Sequence, residues 1–250
     1  INATLRHIRS FLTYLYEKES LIKEPIKFDM LKEGERLYRY FNERELDAIF
    51  KYQFMTEDAY YKGLFKLMLD TGMRPSEPFL GDIIDNWYII DSDNRKNGIV
   101  MQLQLTPDHK ITLEKTIALR ESFIAAGSSF HKAVQFCYER LTRRVVRMIR
   151  KLNFEGKNLT CHSFRHTYGV RQHICHGDIF SVQKALGHKS TTVTQRYARY
   201  EDIKLIDDFP SLADIIRERR MVVNNSNFQG KPIPQHGNSV SPYTPQGYVN

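Results

Sequence analysis

The sequence predicts a mainly α-helical fold with a small antiparallel β-sheet of about three strands (α+β). Three observations predict it. Apolar residues recur at helical spacing through most of the chain, as in Leu5, Ile8, Leu12 and Leu15 or Leu141, Val145, Met148 and Leu152. Helix start and stop signals bracket those stretches. Between Asp82 and Glu114 the pattern changes to short β-branched and aromatic runs separated by turn residues.

In order, residues 1 to 24 read as a helix with Leu5, Ile8, Phe11, Leu12 and Leu15 on one face, ended by Pro25. Lys32 to Arg36 is polar and holds a glycine, so it reads as a linker. Asn42 followed by Glu45 is a capping-box signature ahead of Leu46, Ile49 and Phe50. A second helix is expected from about Glu57 to Leu69, closed by Gly72. The predicted strands are Trp87 to Ile90, Ile99 to Leu103 and the run Ile111-Thr112-Leu113, with Asp91 to Gly98 as the turn between the first two. Helices resume over about 115–125 and 131–152. The latter puts Arg140, Arg143, Arg144 and Arg147 opposite its apolar face. Further helices are expected after His162, over about Ile179 to Leu186, and over Thr192 to Tyr200. After Arg220 the chain is rich in Asn, Gln, Gly, Ser and Pro, which predicts a disordered or docking tail.

With 250 residues and 41% hydrophobic content, the chain can build a proper core. No apolar run approaches the ~18 residues of a membrane span. Ile1 is not a methionine and no signal-peptide pattern follows, so the chain is expected to be a piece of a longer protein. Three cysteines at irregular spacing predict a reducing compartment and no disulfide framework. The formal net charge is +8, and it is concentrated. Arg140 to Tyr200 holds 13 Lys+Arg against 2 Asp+Glu, so the rest of the chain is net acidic. Such a segment is the electrostatic footprint of a polyanion, with a solvated basic face as the bland alternative.

The chemistry-bearing residues lie in four short motifs: Asp70-Thr71-Gly72-Met73-Arg74-Pro75-Ser76-Glu77, then Cys161-His162-Ser163-Phe164-Arg165-His166, then Leu186-Gly187-His188, then Gln195-Arg196-Tyr197. Two arginines, two histidines and a tyrosine without a carboxylate cluster suggest phosphate chemistry. Guanidinium groups bind phosphate oxygens, imidazoles handle protons, and a phenol oxygen can attack phosphorus. His162 and Arg165 are i and i+3 and share a helix face, whereas His166 is expected to point elsewhere. Cys161, His162, His173, Cys175 and His176 lack the regular pairs of a structural zinc site, so no metal is expected.

Taken together, Thr-Gly-x-Arg-x-x-Glu, His-x-x-Arg, Leu-Gly-His and Tyr resemble the tyrosine recombinases, also called the phage integrase family. His188 stands 23 positions after Arg165 and Tyr197 stands 9 after His188, which are family-like gaps. The resemblance covers about residues 41 to 208, and a weaker one covers the first 30. It implies the end of a helical core-binding domain over 1–30, a linker over 31–40, a catalytic domain over 41–208, and a C-terminal helix with polar tail over 209–250. It makes Arg74 and Arg165 phosphate clamps and Glu77 the holder of Arg74. His162 becomes a proton-handling imidazole, His188 a donor to a non-bridging oxygen, and Tyr197 the nucleophile. Tyr200 is the fallback nucleophile, and Tyr168 reads as core. Lys96, on the predicted hairpin turn, is the preferred proton donor, with Lys110 and Lys115 near a later turn as alternatives. Pro78 departs from the usual apolar residue and is expected to shorten or shift the helix there. Arg140, Arg143, Arg144, Arg147 and Lys189 are the candidate DNA contacts.

The implied activity is site-specific cutting and rejoining of double-stranded DNA through a 3′-phosphotyrosyl link, with no cofactor, by a homo-oligomer, a tetramer, on DNA. A prokaryotic or phage-encoded, cytoplasmic protein fits that activity. Two other readings stay open: a type IB topoisomerase that reseals the same strand, and a DNA-binding module without activity.

Overall fold

The computed structural model describes residues 2–24, 26–27, 37–53, 58–96, 98–188 and 190–229. It divides into two compact units, Ile1–Arg36 and Leu37–Asn250. The first contains one helix, α1 (Asn2–Glu17), with Ile8, Phe11 and Tyr14 exposed. It is shorter than the expected 1–24. Ser20 adopts a left-handed φ of 51°, and the Leu21 N–H reaches back to the Leu15 carbonyl, so the chain leaves the helix before Leu21. Pro25 and most of the expected linker lie outside the described residues.

The second unit begins with α2 (Glu43–Lys51), built on the predicted capping box. The Asn42 side chain accepts from the Glu45 N–H and the Glu45 carboxylate accepts from the Asn42 N–H. Helix α3 (Asp58–Thr71) ends at Gly72, whose φ of 65° is the left-handed stop that glycine favours. Pro78 lies in a 3₁₀ turn, Glu77–Phe79, rather than in an α-helix.

Three antiparallel strands follow in the order β1 (Asp82–Ile84), β2 (Trp87–Ile90), β3 (Met101–Gln104). The strand expected at Ile111–Leu113 is absent, and β1 supplies the third. Those residues lie inside α4 (Pro107–Ala125), whose start is capped by the Thr106 side chain accepting from His109 N–H, with Pro107 in the first turn. A Thr-Pro helix start overrides the β propensity of a three-residue run, because Thr112, Leu113, Thr116 and Arg120 bury together as one helix face.

Helix α5 (Phe130–Lys151) buries Leu141, Val145 and Met148 as its spacing predicts. Helix α6 (Cys161–His176) starts at a box formed by Thr160 and Ser163. Two short helices follow, α7 (Ile179–Leu186) and α8 (Thr191–Thr194), then a 3₁₀ turn Tyr197–Arg199. The expected helix over Thr192–Tyr200 is thus broken. Only Thr191–Thr194 is α-helical, and beyond it the chain tightens into the 3₁₀ turn that lays the Tyr197 ring against Gly169.

The chain closes with α9 (Asp202–Asp208) and α10 (Ala213–Gln229). Helix α10 runs past Arg220, where a disordered or docking tail was expected, and buried Ile216 and an Arg219 hydrogen bond to the His173 carbonyl (2.9 Å) anchor its earlier turns on α6. Residues 230–250 lie outside the described part. The core falls into two clusters. The larger includes Phe164 stacked on Phe65 at 4.6 Å, and the smaller gathers Val170, Tyr197, Tyr200, Leu205, Phe209 and Ile216. Helix α6 runs through both, so it carries the residues that join them. Among the described residues, no helix is long and apolar enough to cross a membrane.

Candidate active site

Arg74 leaves the end of α3 just beyond Gly72. A Cβ on Gly72 would stand 2.2 Å from the Tyr168 ring, so the close packing of α3 on α6 needs glycine and places Tyr168 against that helix end. The Arg74 backbone N–H donates to Glu77 Oε2 (2.6 Å) and its Nη1 donates to Oε1 (2.8 Å). Glu77 therefore holds both the backbone and the head of Arg74. Burial opposes the charge on Glu77, but the Arg74 N–H and the Arg95 and Arg74 guanidinium groups outweigh it and hold the pKa below the ordinary value.

Arg95 was not anticipated. Its Nε (3.1 Å) and Nη2 (2.9 Å) both donate to Glu77 Oε1. The only cue was a second cation beside Lys96, because nothing in the spacing reveals a partner 18 residues away. Lys96 is exposed on the β2–β3 turn, whereas Lys110 and Lys115 lie along α4 and not at a turn of the sheet.

Helix α6 carries the next group. Arg165 is buried, with Nη1 donating to the Gly72 carbonyl (2.5 Å) and Nη2 to that of Leu186 (2.6 Å). It ties the end of α3 to the end of α7. Burial and then the neighbouring Arg74 cation lower its pKa, yet the guanidinium remains charged at neutral pH. His162 keeps an exposed edge. Crowding by protein and the charges of Arg165, Arg74 and Lys96 lower its pKa. His188 follows Gly187, which ends α7 with a φ of 60°. Its Nδ1 lies 3.0 Å from Thr194 Oγ1, and burial with Arg165 and Arg74 pushes its pKa down to about 4. The fold thus sets Arg74 and Arg165 to act on both His162 and His188, and Lys96 to act on His162.

The expectation for His166 is overturned. Its Nδ1 is 3.0 Å from the Tyr197 hydroxyl. It is i+1 from Arg165 but i+4 from His162, so it shares the His162 face, and the two rings are 6.4 Å apart. Tyr38 stacks on it at 4.1 Å and 11°. Burial, then His162, Arg165 and other cations, push its pKa down to about 3, so the ring is neutral. Tyr197 is 1% exposed; burial raises its pKa while Arg165 pulls the other way. The Tyr200 hydroxyl instead donates to the Tyr38 carbonyl, and Arg39 is the cation acting on it.

Gly169, one turn after Arg165, is where the Tyr197 ring rests. A Cβ there would stand 2.6 Å from Tyr197 Cζ, so Gly169→Ala must displace the ring. The expected cost is roughly 1–3 kcal/mol, as for other overpacked sites, measured by urea unfolding. Unchanged stability would mean that the ring moves freely.

The depressed histidines make a second prediction. A phosphodiester between Arg74 and Arg165 would offset the cations that lower His162 and His188. By linkage, binding then takes up protons below the ordinary imidazole pKa, and affinity rises as pH falls from 7 toward 5. Calorimetry in buffers of different ionisation enthalpy should record the uptake, and His188→Asn should reduce it. Equal uptake by that variant would place the phosphate elsewhere.

On α5, Arg143 and Arg147 are exposed, while Arg140 is half-buried and Arg144 lies over the Tyr61 ring at 4.7 Å. Half of the expected basic stripe therefore packs on the protein. Lys189 lies outside the described residues. Among those described, no three His, Cys, Asp or Glu side chains are grouped to hold a metal ion.

The profile of the phage integrase family matches residues 39–203. The tyrosine recombinase XerC of Roseiflexus castenholzii is 27% identical over 206 residues, covering 76% of this chain and 64% of that protein. The tyrosine recombinase XerA of Saccharolobus solfataricus is 30% identical over 139 residues, covering 54% and 44%. A crystal structure of XerA recombinase superposes with a TM-score of 0.49 at 19% identity, covering 80% of this chain and 79% of that one. The chain spans less than two thirds of the curated relatives it matches. All four sequence motifs fall inside a profile match that takes in well over half of the 250 residues, and on that ground the chain belongs to the phage integrase family.

Proposed function

We propose that this chain is the cutting and rejoining part of a site-specific DNA recombinase working through a 3′-phosphotyrosyl intermediate. The observation that carries the reading is that the Tyr197 hydroxyl lies 3.0 Å from His166 Nδ1, one turn from His162 on the helix that also carries Arg165, while Arg165 and Arg74 both act on His162 and His188. The Tyr197 oxygen attacks the scissile phosphorus, a P–O bond to the tyrosine forms, and the bond to the 5′ oxygen breaks. The phenol proton passes to His162. His166 holds the resting Tyr197 hydroxyl at Nδ1, in the tautomer protonated at Nε2, and its pKa of about 3 makes it a poor base. Lys96 gives the 5′ oxygen its proton. Arg74, Arg165 and His188 stabilise the charge on the five-coordinate phosphorus. Glu77 keeps Arg74 aimed. Because Tyr197 is buried, attack requires the 197–199 turn to release its hydroxyl from His166.

The bond energy stays in the phosphotyrosine, so a different strand can be joined without ATP. Exchanging both strands of two duplexes consumes four tyrosines, and each chain supplies one, hence a tetramer on paired sites. Recombination is preferred to topoisomerase-like resealing because the curated relatives are named recombinases. Residues 1–30 are proposed as the end of a DNA-gripping helical domain joined through a linker over 31–40.

The test is a nicked suicide duplex carrying the site defined by flanking genomic repeats. It should accumulate an SDS-stable adduct mapping to Tyr197, and intact duplexes should exchange strands. Resealing without exchange would favour the topoisomerase reading, and binding without an adduct the inactive module. The salt dependence follows from the basic segment. Arg143, Arg147 and their neighbours should neutralise several phosphates, each adding about −0.9 to the slope of log K against log salt. A flat slope would turn that face to solvent.

A further inference from the structure

The turn that carries Lys96 has little apolar packing to hold it: Ile99 is 56% and Val100 48% exposed. Its own backbone bonds are local, from Arg95 N–H to Ser92 and from Gly98 N–H to Arg95. Among the described residues, the side chain of the turn with hydrogen bonds to the rest of the unit is Arg95, which is 9% exposed. Nε and Nη2 grip Glu77, and Nη1 donates to the Ile99 carbonyl (3.1 Å) on the far side of the turn. One guanidinium therefore closes the turn and docks it, which a single ammonium could not do with the same geometry. Glu77 Oε1 also takes Arg74 Nη1, so one buried oxygen fixes the bases of Arg74 and of the Lys96 turn together.

We propose that Arg95 is a positioning residue for the leaving-group proton: by docking the β2–β3 turn on Glu77 it sets where Lys96 stands relative to the phosphate held by Arg74. This rests on the role given to Lys96 in the proposed function. Arg95 touches no reacting atom, and its effect is confined to proton delivery. Loss of Arg95 leaves Glu77 paired with Arg74, so the clamp persists while the turn comes loose.

The experiment compares single-turnover cleavage of two versions of the duplex that traps the unmodified protein. One has the ordinary bridging 5′ oxygen, the other a bridging 5′ sulfur. A thiolate leaves without a proton, since thiols ionise near pH 8.5 and alcohols far above. General acids contribute about 10²–10⁴-fold. Lys96→Ala should therefore be slowed by about that range on oxygen and cleave the sulfur duplex at nearly the unmodified rate. Arg95→Met should show the same pattern with a smaller loss, about tenfold or more on oxygen. Arg95→Lys should restore little, since it cannot hold Glu77 and Ile99 at once. The oxygen-to-sulfur rate ratio within one protein does not depend on how much of it is folded, so simple destabilisation cannot mimic this result. If Arg95→Met is slow on both duplexes, as expected for Arg74→Ala, or normal on both, the proposal is overturned. Sulfur rescue of Lys96→Ala but not of Arg95→Met leaves the lysine role standing and removes only Arg95. A normal rate for Lys96→Ala on oxygen removes the lysine role and this proposal with it.

Discussion

Tyr197→Phe is expected to bind duplex DNA within about twofold of the unmodified chain and to form no covalent adduct. The substitution deletes one oxygen. The ring stays against Gly169 and within the cluster of Val170, Leu205 and Phe209, so the fold keeps its packing. The loss does leave His166 Nδ1 without its 3.0 Å partner, and an unsatisfied buried acceptor costs about 1–3 kcal/mol. A modest drop in stability should therefore accompany a complete loss of chemistry. Suicide-substrate trapping and mass spectrometry check it. An adduct formed by Tyr197→Phe, or loss of adduct in Tyr200→Phe with Tyr197 intact, would move the nucleophile to Tyr200. The geometry speaks against that, since the Tyr200 hydroxyl is committed to the Tyr38 carbonyl.

Arg165→Ala carries the second largest effect. Removing one pre-positioned donor from a developing oxyanion costs about 2.7–4 kcal/mol, or roughly 10²–10³ in cleavage rate. The same side chain has a structural duty, because it donates to the carbonyls of Gly72 and Leu186. Hydrogen bonds from charged groups contribute about 1.5–3 kcal/mol each. Arg165→Ala should therefore lower stability as well, and a fall in rate alone would be ambiguous. Arg165→Lys separates the two effects. It keeps the charge and can keep one carbonyl, yet it cannot serve both carbonyls and the phosphate. Its melting temperature should lie closer to that of the unmodified chain while its cleavage rate stays depressed by tenfold or more, about 1.4 kcal/mol. A lysine variant that cleaves normally would reduce Arg165 to a point charge.

How far the sequence reached depended on the range of each interaction. The Asn42–Glu45 box, the Gly72 helix stop and the apolar face of α5 were legible because each is settled within about one or two helical turns of chain. The motif spacing was legible for a different reason: the resemblance supplied the spatial meaning that spacing lacks. The Ile111–Leu113 strand failed because three β-branched or apolar residues say little beside a Thr-Pro helix start. The Thr192–Tyr200 helix failed because the tyrosine-bearing segment follows the tertiary groove at Gly169 and not its own propensity. His166 was misjudged by counting its offset from Arg165 and not from His162.

By itself, then, the sequence determined that this is a mainly helical chain with a small sheet, a concentrated basic segment and an ordered set of phosphate-binding residue types. These follow from periodicity, charge and order along the chain. Only the tertiary structure decided that Arg165 braces Gly72 across 93 residues, that His166 meets Tyr197 across 31, and that Arg95 joins Arg74 on one carboxylate oxygen. Those contacts exist because α3, α6, α7 and the sheet bury their apolar faces together. A hydrogen bond is made or lost within a few tenths of an ångström, a distance that packing sets and that no pattern along a single chain records.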